Sequence, residues 1–225
     1  MERINFSELE HSNVFHSLVS TFFISIHGMN EIFSRLLIRD LKANSKNDNE
    51  FYRLIEDNTI NLPSYVKNDL KNFKTFTPLV LSFEAQKKNS TQTIYFDIEK
   101  LNVEFMNFEQ VYNHINKLAE LLIINAYEIL RLKNPNQSYV LEFFRHIRNA
   151  AAHNGKFYFT ADVICSNSKE LKKIAKWRNF EIKSNLQDYK LFNNKKVNDN
   201  NFWEYGDLID FLLDLENHFP ELKTN

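Results

Sequence analysis

The stretch RHIRNAAAHNGKF, Arg145 to Phe157, gathers two arginines, two histidines and two asparagines into one short segment. A guanidinium can grip a phosphate through two N–H bonds and steady added charge on it. An imidazole that titrates near neutrality can give or take a proton. Arg148 and His153 are separated by four residues, with Asn149 directly after the arginine. On a helix, Val140, Phe143, Phe144, Ile147 and Ala151 fall on one apolar face. Arg145, Asn149, Ala152 and His153 lie away from that face, and Arg148 sits at its border. Glu142, His146, Asn149 and His153 form a ridge at helical spacing. Ala152 leaves room for another backbone or a ligand to approach. Asn154-Gly155 reads as a helix stop, which puts His153 at the C-terminus. The helix dipole there favours a protonated imidazole.

The Arg-Asn-x3-His run RNAAAH resembles the Arg-x4-6-His motif of the HEPN superfamily (higher eukaryotes and prokaryotes nucleotide-binding). RNAAAHNGKFYF, followed by KWRNFEI and GDLIDFLLDLE, is similar to a subfamily of standalone plasmid- and chromosome-borne HEPN proteins. Many members are metal-independent endoribonucleases, among them toxins and abortive-infection proteins. The resemblance implies a HEPN-like bundle that pairs as a homodimer through the helix at 137–153. It implies cutting of single-stranded RNA by 2′-hydroxyl attack in the composite cleft between copies, within phage defence or a toxin–antitoxin system. His153 would handle protons, Arg148 would steady the phosphate, and Asn149 would orient one or both. An antitoxin is a possible partner. Toxins controlled by an AMP-transferring antitoxin carry tyrosine two residues after the histidine; this chain has Gly155 there.

Two other readings stay open. A HEPN domain can bind RNA or a nucleotide without cutting, and a helical interaction module can carry a solvated polar face that ends in histidine. Beyond the motif, Lys169 to Lys196 is basic and holds Trp177 and Phe180, a combination suited to a single strand through charge and stacking. RNA contacts are accordingly expected at Arg145, His146, Lys172, Lys173 and Lys176, while Trp177 is expected to anchor its segment to the bundle. Asp207, Asp210 and Asp214 share a helix face that reads as solvated rather than metal-binding. No metal and no cofactor is expected. The histidines show no zinc spacing, three glycines cannot build a phosphate loop, and Cys165 has no evident base partner.

The elements that must position these residues read as mainly α, with a small α/β insertion before the last helix. A first helix is predicted over Phe6 to Leu41, weakened at Gly28, and a short one over Glu50 to Asp57. Pro63 suits the first turn of another. Thr77-Pro78 restarts the chain into Leu79 to Ala85, Lys87 to Thr91 reads as a turn, and Thr93 to Ile98 is strand-like. The clearest helix is Phe108 to Leu132, with a stripe of Val111, Ile115, Leu118, Leu122 and Ile129. Asn134-Pro135-Asn136 ends it, and the motif helix follows from Gln137-Ser138, antiparallel to it. Lys169 to Trp177 looks helical, and Phe180 to Ile182 with Lys190 to Phe192 could make a hairpin. Asp207 to Phe219 closes the chain, with Ile209, Leu212 and Leu213 inward. The whole reads as one domain over 1–225: N-terminal helices 1–100, a motif-bearing core 101–155, the insertion 156–202 and the last helix 203–225.

Composition agrees with this outline. The chain has only 3 Gly and 4 Pro in 225 residues, too few for the many tight turns of a sheet-rich fold. With 21 Phe, the core is expected to be rich in phenylalanine. A net charge of −1 excludes a uniformly basic polyanion binder, so any nucleic-acid contact must use a local patch. The single cysteine excludes an internal disulfide and fits a reducing cytoplasm. No apolar run reaches the roughly 18 residues of a membrane helix, and the Glu-bearing N-terminal residues do not resemble a signal peptide. No membrane association is expected.

Overall fold

A computed structural model of the chain describes residues 14–58, 82–86, 93–97, 108–133, 138–161, 163–165, 171–192 and 201–223. These residues are mainly helical, with small two-stranded pairings. The helices are α1 (His16–Asn44), α2 (Asp48–Asn58), α3 (Phe108–Leu132), α4 (Tyr139–Ala152) and α5 (Tyr205–His218). The strands are β1 (Ser82–Gln86), β2 (Thr93–Asp97), β3 (Lys176–Trp177) and β4 (Phe180–Glu181). The expectations for residues 6–13, for a helix opening at Pro63, for Thr77-Pro78, for the turn at 87–91 and for the stop at 134–136 lie outside the described residues. No helix among the described residues is long and apolar enough to cross a membrane.

Contacts divide the chain into two compact units, residues 27–110 and residues 1–26 with 111–225. The first unit contains α2 and the antiparallel pair β1–β2, in which Phe83 faces Phe96 and Glu84 faces Tyr95. The second contains the motif helix. Its core is built from the inward faces of α3, α4 and α5 with the first turns of α1.

On α3 the buried line is Ala119, Leu122, Ile123, Ala126 and Leu130. Leu118 and Ile129, expected on the inward stripe, are only partly buried. The two alanines account for the rotation: they let α3 approach the core more closely than a line of large residues would. On α4, Val140, Phe143, Phe144, Ile147 and Ala151 are buried as their spacing predicts. Phe143 lies 5.4 Å from the Phe211 ring and 5.6 Å from that of Trp203, and Phe144 meets Phe211 edge-on at 5.0 Å. Such offset and edge-to-face pairs add to the burial of apolar area. On α5 the inward set is Leu208, Ile209, Phe211, Leu212 and Leu215, with Leu213 half-buried. Its start is closed by a capping box between Glu204 and Asp207.

The segment between α4 and α5 departs from expectation in two places. Residues 171–177, the described part of the helix expected over Lys169 to Trp177, are not helical: Leu171 bridges Ile164 and Lys176–Trp177 is a strand. Burial there alternates, with Ala175 and Trp177 inside and Lys176 outside, the period of extended chain. The 180–182 segment pairs back onto β3, with the Ile182 N–H donating to the Ala175 carbonyl, and not onto 190–192. Trp177 sets this arrangement. It stacks in parallel on Phe180 at 5.6 Å, packs on Phe211 of α5 and donates its indole N–H to Asp214. Tertiary packing thus overrides local helix propensity. Residues 189–191 bond instead to both 155–157 and 201–203, so the chain leaving α4 is tied to the chain entering α5.

Candidate functional site

Both ends of α4 are fixed by named groups. At the start, the Ser138 Oγ accepts the Leu141 N–H at 3.1 Å, satisfying one of the orphan donors of the first turn. At the end, the His153 N–H donates to the Asn149 and Ala150 carbonyls. The chain then passes through two left-handed residues, Asn154 at φ 60° and Gly155 at φ 72°. The left-handed φ favours glycine, and a Cβ there, 2.6 Å from the Glu120 Oε1, would displace that carboxylate. The buried Glu120 carboxylate accepts from Lys117, which also donates to the Asn154 Oδ1. A bracket from α3 thereby holds the turn that follows His153.

His153 is exposed, and its ring stands 5.5 Å from that of Tyr158. Ala152 beside it is also exposed. Arg148 turns toward α3, with its Nη2 3.5 Å from the Glu128 carboxylate and its guanidinium 5.9 Å from the centre of the Tyr127 ring. Its Nη1 donates a long bond to the Asn149 Oδ1, at 3.4 Å. The Arg148 Nε is buried and has no hydrogen-bond partner among the described residues. A buried donor without an acceptor is uncommon and is often met by a ligand, water or another chain. Among the described residues no hydrogen bond or ring contact joins Arg148 to His153.

His146 is not on the outer face. It is 3% exposed, under the Phe159 ring at 5.5 Å. The RNA contact expected of it is therefore not available to its side chain. Phe157 and Phe159 are buried while Tyr158 points out, so the extended chain after Gly155 folds one aromatic over His146. Burial, reinforced by the Arg145 charge, lowers the His146 pKa to about 4 despite the opposing Glu142 carboxylate. Its Nε2 is 3.3 Å from the Arg145 guanidinium. The same nitrogen is 3.4 Å from the Glu142 Oε1, so a donor and an acceptor of opposite charge meet at one edge of the ring. Burial works against ionisation of Glu142, but two hydrogen bonds and the charge of Arg145, with help from His146 and Lys173, hold its carboxyl below the usual range.

Arg145, Lys172 and Lys173 do come together. They line a cleft of about 630 Å³ at the start of α4, with Glu142, Tyr127 and Tyr139. Lys176 stands at its edge, its Nζ 5.2 Å from the centre of the Tyr139 ring. Burial raises the Tyr127 pKa against the opposing charges of Arg145 and Arg148, so the phenol stays neutral. Tyr127, Tyr139 and Glu128 were not singled out from sequence. The two tyrosines carry a signal in being aromatic at the polar border of their helices, but nothing local shows that those borders meet.

The carboxylates of α5 have another task. Asp210 and Asp214 both bind Arg178, which follows Trp177 in the β3–β4 turn. Cys165 is half-buried and carries no disulfide.

In comparisons with known proteins, no family model, curated protein or solved structure matches the chain.

Proposed function

We propose that the chain is a HEPN-type endoribonuclease that cuts single-stranded RNA without a metal. In this reading the RNA 2′-hydroxyl loses its proton to His153 and attacks the adjacent phosphorus. The bond from phosphorus to the 5′-oxygen breaks and that oxygen takes up a proton from water, leaving a 2′,3′-cyclic phosphate and a 5′-hydroxyl. Arg148 steadies the charge that builds on the phosphoryl oxygens, and Asn149 orients its guanidinium. The observation that carries the reading is the unmatched Arg148 Nε beside Asn149, with an exposed His153 ending the same helix. Arg148 and His153 turn different ways within one chain, which favours a cleft completed by a second copy across 137–153. A role in phage defence or as a toxin held by an antitoxin, in the cytoplasm, belongs to the same proposal.

Incubation with labelled single-stranded RNA in excess chelator tests it. Cleavage is expected, and Arg148→Ala or His153→Ala is expected to slow it by about 10²–10⁴-fold. Cleavage that needs Mg²⁺, or that survives both substitutions, would sink the mechanism. A second reading, binding without cutting, is favoured by the engagement of Arg148 with Glu128. Retained RNA binding with no cleavage by the wild-type chain would establish it.

A further inference from the structure

The cleft at the start of α4 is separate from His153. Glu142 and His153 are eleven residues apart, which on a helix is roughly 16 Å along the axis. A single phosphate cannot touch both. The cleft holds three cations, Arg145, Lys172 and Lys173, against one carboxylate. Arg145 is bound to that carboxylate, Glu142, through both its Nε and an Nη. The exposed Lys172 and Lys173 are then the charges left for an incoming anion. Apolar side chains of Leu141, Val163 and Ile174 form part of the wall. Tyr139 is 50% exposed; the Lys176 ammonium lies over its ring and the His218 ring meets it edge-on at 6.4 Å, and the exposed remainder of the side chain is the surface offered for stacking.

From this arrangement we infer that the cleft is a nucleotide site, with the phosphate on Lys172 and Lys173 and the base against Tyr139. A volume of about 630 Å³ is within the range of small-molecule pockets. Charge alone would suit any polyanion. The combination of paired lysines with an exposed, cation-backed ring and apolar walls selects a ligand that is anionic at one end and flat at the other. The nucleotide can belong to an RNA strand or be free. As a strand site it deepens the reading above by naming where RNA is held away from the bond being cut.

Binding is best measured on the full chain carrying His153→Ala, so that it does not depend on cleavage. The probes are a fluorescent oligouridylate, an oligoadenylate and AMP. Lys172→Glu with Lys173→Glu is expected to weaken oligonucleotide binding at least tenfold. Losing two phosphate contacts is also expected to flatten the salt dependence by about 1.4 in log–log slope. Tyr139→Ala should weaken binding about fivefold or more, with Tyr139→Phe close to wild type, because stacking needs the ring and not the hydroxyl. All three side chains are exposed, so these variants are expected to fold, and a thermal melt checks it. AMP that binds and competes identifies a free nucleotide as a ligand; oligonucleotide binding without AMP competition identifies a strand. Binding unchanged in the lysine variant overturns the inference. So does an acidic peptide that competes as well as RNA, or no binding of any probe by the parent chain. Cleavage by the wild type with binding indifferent to Lys172 and Lys173 would leave the nuclease reading standing alone. Binding through the cleft with no cleavage would do the reverse.

Discussion

His146 and His153 stand two turns apart on nearly one line of α4, yet their surroundings differ completely. His146 is buried, neutral and bound to Arg145, while His153 is exposed at the helix end beside Tyr158. The difference does not arise in the helix. It arises in the chain that follows it, which turns at Asn154-Gly155 and lays Phe159 over the first histidine while leaving the second uncovered. A helical ridge therefore states which residues share a direction. Whether that direction faces solvent depends on what returns to cover it. Of the two, only His153 can meet a substrate from outside.

The largest effect that could break this contrast is catalytic. His153→Ala is expected to slow RNA cleavage by about 10²–10⁴-fold. His146→Phe, which keeps a ring under Phe159, is expected to leave cleavage within about tenfold of wild type. The opposite ranking would make His146 the acting group and undo the contrast. Next in size is a pH effect. The His146 pKa falls from 6.5 to about 4 on folding, so between those values the unfolded chain binds more protons than the folded one. Stability then rises with pH: it is complete above about pH 6.5 and is lost as pH falls toward 4, by up to about 3 kcal/mol. The depressed Glu142 acts in the same direction but below its ordinary 4.5, so the window from 6.5 to 4.5 isolates the histidine. Urea unfolding at pH 7 and pH 4.5 measures it. The acid loss should shrink in His146→Phe; equal losses in both proteins would mean that His146 titrates as if exposed.

The same distinction separates what the sequence makes legible from what it hides. The inward face of α4 follows from spacing alone, because apolar residues at period 3.6 have one common direction. The stop at Asn154-Gly155 follows from the backbone freedom of glycine, and the inward Ile209 and Leu212 of α5 from their spacing. None of these needs a distant partner. The burial of His146 depends on Phe159 beyond a turn, and the 171–177 segment is extended because Trp177 finds Phe211 and Asp214 on α5. The cleft is the extreme case: Tyr127, Arg145 and Lys172 come from three separate segments, and only the tertiary structure places them together. Lys172 and Lys173 can be suspected from a basic run, but their partners cannot.

A smaller effect sharpens the contrast from the turn itself. If the Asn154-Gly155 turn decides which histidine is covered, straining it should cost stability and disturb the Phe159 cover of His146 as well as the adjoining His153. Gly155→Ala forces a side chain into a left-handed residue and against the Glu120 carboxylate, at about 2 kcal/mol. Denaturation measures the loss, and histidine proton resonances report where it is felt. A destabilised variant whose His146 resonances are unchanged would contradict the assignment of the turn.

The smallest expected effect lies at the other end of the helix, where Ser138 has two neighbours to satisfy. Its Oγ accepts the Leu141 N–H, and the residue also lines the basic cleft. Ser138→Ala removes the acceptor and is expected to cost about 1 kcal/mol in chemical denaturation. Ser138→Asp keeps an acceptor at the cap and places negative charge near the helix N-terminus, so stability should stay near wild type. The same carboxylate would face Lys172 and Lys173 across the cleft. It should weaken oligonucleotide binding several-fold while the fold is intact, whereas the alanine should weaken stability and leave binding nearly unchanged. These opposite patterns separate the cap from the cleft. An aspartate variant that is stable and binds normally would show that the cleft does not hold an anion, and the two ends of α4 would then differ in burial alone.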